Sequence, residues 1–149
     1  MTEPVTIDDD LGALLHRAAA LVAQRLSERL SDHGVTRAEW VLLALLHAEG
    51  AVPPSLLAAR LGFTRGAVTK LIDRLRAKRF VVRTRAGHVD RRYQTIALTG
   101  AGAVLVPRLR AVVAACDAEV FGRLAREDHK VLERSLRCLL DPADPCSRD

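Results

Sequence analysis

Residues 64–79, TRGAVTKLIDRLRAKR, leave little choice of conformation. Val68, Leu71, Ile72 and Leu75 recur at i, i+3, i+4 and i+7, which makes one apolar stripe on a helix and no continuous face on a strand. Arg65, Thr69, Lys70, Asp73 and Arg74 fall on the opposite side. Thr64 suits the N-cap, because its hydroxyl can accept a bond from a first-turn N–H that the helix leaves unpaired. The spacing predicts a helix that docks by one side and offers short polar and long cationic groups on the other. A helix lying in a DNA major groove needs that division. A solvated surface helix shares it, so the flanking residues must decide.

Charge is the first discriminator. Residues 60–92 hold eleven Arg or Lys against Asp73 and Asp90, a local charge of +9, while the rest of the chain is −4. Concentrated positive charge on a mildly acidic body is the electrostatic footprint of a nucleic-acid binder. A membrane surface also attracts cations, but this segment alternates helical and strand patterns and is not one amphipathic helix. No run of 18 apolar residues exists, and MTEPVTIDDD lacks the basic-then-apolar pattern of a secretory signal, so a cytoplasmic protein without a membrane partner is expected. Cys116, Cys138 and Cys146 are odd in number and lack CxxC spacing, against a disulfide framework or zinc site. Cys116 and Cys138 read as buried small hydrophobes. No cofactor or metal site is expected, and no nucleophile elbow, phosphate loop or paired-carboxylate pattern suggests an enzyme.

The apolar content of 49% with only 3% aromatics means a core of Leu, Val and Ala, which favours helices. A helix fits from about residue 9 to Ser31. Asp32-His33-Gly34 breaks it. Thr36 with Glu39 forms a capping box for a second helix, apolar all round and expected to be the most buried, ending near Ala48. Ser55 is read as the cap of a short helix, LLAARLG, whose Gly62 turn leads into the helix at Thr64. The pair makes a helix-turn-helix. The period then changes to two: Phe80–Arg85 and Tyr93–Leu98 read as strands around a cationic tip, a β-hairpin too small to stand alone. Thr99 caps a helix to about Leu124 that contains Pro107, where a kink is expected. A last helix runs from about Arg126 to Leu140, and the ends, 1–8 and 141–149, are read as disordered. The fold class is mainly α with a small β-hairpin wing.

This order, with LAARLGFTRGAVTKLIDRL, Asp90-Arg91-Arg92 and Leu98-Thr99-Gly100-Ala101-Gly102, resembles the MarR family of bacterial transcription regulators over residues 9–140. The three segments are similar to the family's helix-turn-helix, its D-x-R wing tip and its L-T-x-x-G helix start. The resemblance implies a homodimer, triangular in outline. Residues 9–34 and 99–140 would form the helical dimerisation region and 35–98 the winged helix-turn-helix domain. Independently, residues 11–30 and 104–140 carry more apolar helix surface than one 149-residue chain can cover. One departure stands out. Where relatives carry Gly after the recognition helix, this chain has Arg79. Either the helix ends differently or Arg79 bears the strain of a left-handed conformation.

For base edges the candidates are Arg65, Thr69 and Lys70, with Thr64 near the helix start and Gly66 permitting close approach. Arg74 reads as a phosphate contact, with an i,i+4 partnership with Lys70 or a bond to Asp73 as the plainer alternative. Arg83, Arg85 and Arg91 read as phosphate contacts or solvated charges. The D-x-R resemblance implies that Arg92 enters the minor groove and that Asp90 orients it. The family resemblance also implies a small aromatic or phenolic effector bound between the dimer and DNA-binding lobes, for which His16 and Trp40 are the candidate contacts, with a surface helix residue and a core residue as their plainer readings. The expected function is a double-stranded-DNA-binding repressor. The competing reading is a winged-helix module whose basic face binds an acidic protein, against which the D-x-R tip argues, since a protein partner has no minor groove.

Overall fold

The computed structural model describes residues 10–85 and 94–141. Helix α1 (Leu11–Ser31) starts at Asp10, whose carboxylate accepts from Gly12 N. Helix α2 (Arg37–Glu49) carries the full capping box: Thr36 Oγ1 accepts from Glu39 N, and the Glu39 carboxylate accepts from Thr36 N. Helix α3 (Pro54–Leu61) is capped by Pro53, not Ser55. Proline at the first helical position has its φ already set and lacks an N–H that would go unpaired there anyway. The Pro53 carbonyl accepts from Leu56 N and Leu57 N, so the helix needs no serine. Gly62 turns the chain at φ +65°, a conformation that costs glycine nothing, and α4 (Arg65–Ala77) follows from its Thr64 cap.

Strands β1 (Val81–Arg85) and β2 (Gln94–Leu98) pair antiparallel, from Val81 opposite Leu98 to Arg85 opposite Gln94. The α2–α3 connection also joins this sheet. Val52 and Ile96 exchange backbone bonds of 2.9 and 2.8 Å, a bridge of which the sequence gives no sign. Helix α5 (Gly100–Phe121) begins at Thr99 and continues through Pro107. It ends at Phe121, short of Leu124. Helix α6 (Arg126–Leu140) has the expected bounds.

One core runs from the end of α1 to the first half of α5. Leu30, Leu42, Leu43, Leu46, Leu57, Ile72, Leu75, Ile96 and Leu109 are its largest fully buried aliphatic members. All four residues of the stripe in α4 belong to it, so the helix is held by the side the periodicity assigned. Helix α2 supplies Leu42, Leu43 and Leu46, but Val41 remains exposed, so its burial is one-sided despite an apolar surface all round.

The junction after α4 decides between the two alternatives for Arg79. Its φ is +62°, left-handed. Arg79 N donates to Arg76 O and Phe80 N to Leu75 O, the bond pair of a helix ending that demands this conformation. The carbonyls are fixed too: Thr99 Oγ1 donates to Arg79 O at 2.7 Å, and Thr99 N to Phe80 O at 3.0 Å. Gly102 then passes so close that a Cβ there would lie 2.1 Å from Phe80 O. Arg79 accepts a steric cost because its neighbours leave the backbone no other course.

Candidate nucleic-acid interface

The exposed side of α4 is built by the burial of the other. With Val68, Leu71, Ile72 and Leu75 facing the core, Arg65, Gly66, Thr69, Lys70, Asp73 and Arg74 are turned outward. Thr64 Oγ1 is occupied by the cap, accepting from Ala67 N at 3.2 Å. Thr69 Oγ1 donates to Arg65 O at 2.9 Å, so the hydroxyl is spent on its own helix and the methyl remains for apolar contact. A Cβ at Gly66 would meet no atom within 4 Å, so packing within the chain does not require glycine there.

The cations that the sequence gathers into one segment fall into two sets. Arg60 pairs with Glu49, and Arg76 with Asp73. Arg83 lies 3.3 Å from both Asp73 and Gln94, so it braces the wing against α4. Arg74 takes neither of its expected partners: its Nε is 3.7 Å from Glu39 of α2. Lys78 donates to both Glu39 carboxylate oxygens, at 2.9 and 2.8 Å, and to Gly34 O at 2.8 Å. Among the described residues, Arg65, Lys70, Arg79 and Arg85 have no acidic partner. Arg65 and Lys70 sit on α4's outward face and Arg85 at the end of β1 nearest the wing tip. Asp90, Arg91 and Arg92 lie outside the described residues.

Glu39 is the one buried carboxylate among the described residues. Burial by itself raises its pKa. The Lys78 hydrogen bonds, the Thr36 N–H and the charges of Lys78 and Arg74 outweigh that and hold the carboxyl below its ordinary value of 4.5. Neither its burial nor its tie to α4 is visible in the sequence, which marks Glu39 only as half of a capping box.

Trp40 is half-buried against the core and His16 is exposed on α1. A cleft of about 470 Å³ lies elsewhere, between the end of α5 and the start of α6, lined in part by Phe121, Leu124, Arg126 and His129. Cys116 is buried. Burial pushes its thiol up, and the charges of Asp117 and Glu119 add to the effect, which leaves it a poor nucleophile. Among the described residues no three His, Cys, Asp or Glu side chains gather as a metal site would need, and no helix is long and apolar enough to cross a membrane.

The MarR family profile matches residues 33–92, from the α1–α2 corner to the wing. The HTH-type transcriptional repressor Rv2887 of Mycobacterium tuberculosis is 32% identical over 132 residues, 89% of this chain and 94% of the relative. This chain belongs to the MarR family. The solved structure of Rv2887 in complex with DNA superposes with a TM-score of 0.76 at 30% identity, covering 89% of this chain and 98% of that one. Its complex with salicylic acid gives 0.72 at 32% identity, over 89% and 99%. The MarR likeness thus spans the outer helices as well as the winged helix-turn-helix. A DNA-binding transcription regulator is what such a chain is.

Proposed function

We propose that this MarR-family protein is a repressor that binds a pseudo-palindromic operator as a homodimer and is released by a small aromatic or phenolic acid. The division among the cations carries the reading of the surface. A face meant only for solubility has no reason to keep Arg65, Lys70 and Arg85 clear of acids among the described residues while neighbouring cations are paired. Arg65 and Lys70 read base edges from the first half of α4, with the Thr69 methyl available to a thymine methyl. Gly66 lets the helix backbone approach the duplex. Arg85 meets phosphate, Arg92 enters the minor groove and Asp90 orients it, with Arg91 on the backbone beside them. Arg83, held by Asp73 and Gln94, sets the wing in place, and Arg74 remains a phosphate contact at the edge of the face.

The exposed apolar residues of α1 and α6 support the dimer, since a single chain leaves Leu11, Leu14, Leu139 and Leu140 in water. Two-fold symmetry then sets the two recognition helices about 34–36 Å apart, one turn of DNA. The Rv2887 complexes with DNA and with salicylic acid support the DNA and effector parts. His16 and Trp40 remain the candidate effector contacts.

The test is a gel-shift titration with DNA flanking the protein's own gene, and with a duplex selected from random sequence, at two salt concentrations against unrelated competitor. Tight binding that survives competitor, with half-sites one turn apart by footprinting, is expected. Weak binding to every duplex, erased by moderate salt, overturns operator recognition.

A further inference from the structure

We infer that Glu39 and Lys78 form a clasp that sets the angle of the recognition helix against the α1–α2 corner, which makes them positioning residues for operator reading. The inference rests on the DNA-binding reading above and adds residues that touch no DNA. Lys78 caps the C-terminal end of α4. An ammonium has three protons to donate. Here three acceptors stand at 2.8–2.9 Å: both oxygens of Glu39 and the carbonyl of Gly34. Nothing is left for a phosphate. Lys78 is therefore a cation of the basic segment whose charge is spent on partners within the chain, although its side chain stays 35% exposed.

The placement gives the clasp its leverage. Gly34 follows α1, Glu39 lies in the first turn of α2, and Lys78 ends α4, so one ammonium ties three elements together. Glu39 is 0% exposed, and its Oε2 also accepts from Thr36 N at 2.8 Å. A buried carboxylate without its partners is costly, so the bonds have one allowed geometry. Apolar contacts hold the middle of α4 but are not directional. The base-reading residues sit at the opposite end of the helix, 13 residues from Lys78 to Arg65, about 20 Å of lever at 1.5 Å per residue. A tilt of about 5° at the clasp moves that end by roughly 2 Å. In a two-fold dimer, α1 belongs to the shared helical body, so the same tilt changes the separation of the two recognition helices.

The probe is the duplex that the wild-type protein selects from random DNA, together with versions carrying one base pair more or fewer between the half-sites. The double variant Glu39→Gln/Lys78→Met replaces the ion pair by neutral side chains of similar shape, so no charge is left buried. Helical content and sedimentation confirm a folded dimer. Its preference for the native spacing is expected to fall about tenfold while the slope of log affinity against log salt stays that of the wild type. A slope shallower by about two phosphate contacts, one from each copy in the dimer and roughly 1.8 in all, overturns the inference, because Lys78 would then touch DNA. Unchanged spacing preference overturns it as well, because the pair would then serve stability alone. If the double variant does not fold, Lys78→Gln, which retains one donor for Glu39 and loses the tie to Gly34, is read by the same two criteria. Failure of the wild type to select any sequence sinks the operator reading itself, and the inference with it.

Discussion

Helices α4 and α6 are both short, charged and strongly amphipathic, yet they end in opposite situations. Helix α4 buries Val68, Leu71, Ile72 and Leu75, with Leu75 at 0% exposure. Helix α6 carries Val131, Leu132, Leu136, Leu139 and Leu140 along one side and buries none of them; Leu139 is 71% and Leu140 84% exposed. An apolar stripe states only that a helix needs a surface to lie on. For α4 that surface comes from α3, α2 and the wing of the same chain. For α6 the described residues offer none of comparable extent, and the first turns of α1 share its condition. The DNA-reading part is thus complete within one chain, and the outer helices call for a second.

The largest test of that contrast is Leu136→Asp. In a two-fold dimer the change appears in both copies, and each buried, unpaired carboxylate costs roughly 3–5 kcal/mol. Sedimentation should show monomer or unfolded chain, with operator affinity lost. An intact, folded dimer would mean that α6 is not at the interface. Next is Leu75→Ala on the closed side. Emptying a fully buried leucine site costs about 2–5 kcal/mol, visible in urea unfolding, and should weaken the fold without selectively breaking the dimer. If instead Leu75→Ala shifted the monomer–dimer balance at fixed stability, the two helices would not be the independent cases described here.

The third test moves to the face of α4 that the core does not use. Arg65→Ala should cost about 1–3 kcal/mol of operator affinity per half-site and relax the preference at one base pair in each, leaving stability within about 0.5 kcal/mol of wild type. A binding curve that merely shifts for all sequences alike would make Arg65 a phosphate contact.

What the sequence made legible was local. The stripe of α4, the caps at Thr36, Thr64 and Thr99 and the bounds of α6 each depend on residues within a turn or two, where periodicity and capping act. The divided cations were not legible. Whether Lys78 faces DNA or Glu39 depends on a partner 39 residues away, and the charge count weighs all cations equally. Val52 looked like loop because one residue pairing with Ile96 leaves no period. The start of α3 is ambiguous in the sequence because a serine cap at Ser55 and a proline at the first helical position are both local signals, and only the structure chooses between them.

Arg79 joins the two kinds of information, and it gives the smallest and sharpest prediction. The sequence marks an arginine where a left-handed residue is wanted; only the structure shows that the chain complies and does not end its helix another way. A non-glycine residue in that conformation costs about 1–2 kcal/mol, and glycine gives back part of the gain through the freedom it has when unfolded. Arg79→Gly should therefore stabilise the protein by about 0.5–1 kcal/mol, read as a higher urea midpoint at unchanged slope. The bonds from Thr99 to the Arg79 and Phe80 carbonyls are backbone-directed and survive the change, so the wing keeps its place. A lower midpoint would mean that the arginine side chain contributes more to the folded state than its backbone costs, and α4 would then owe part of its closure to a group outside its stripe.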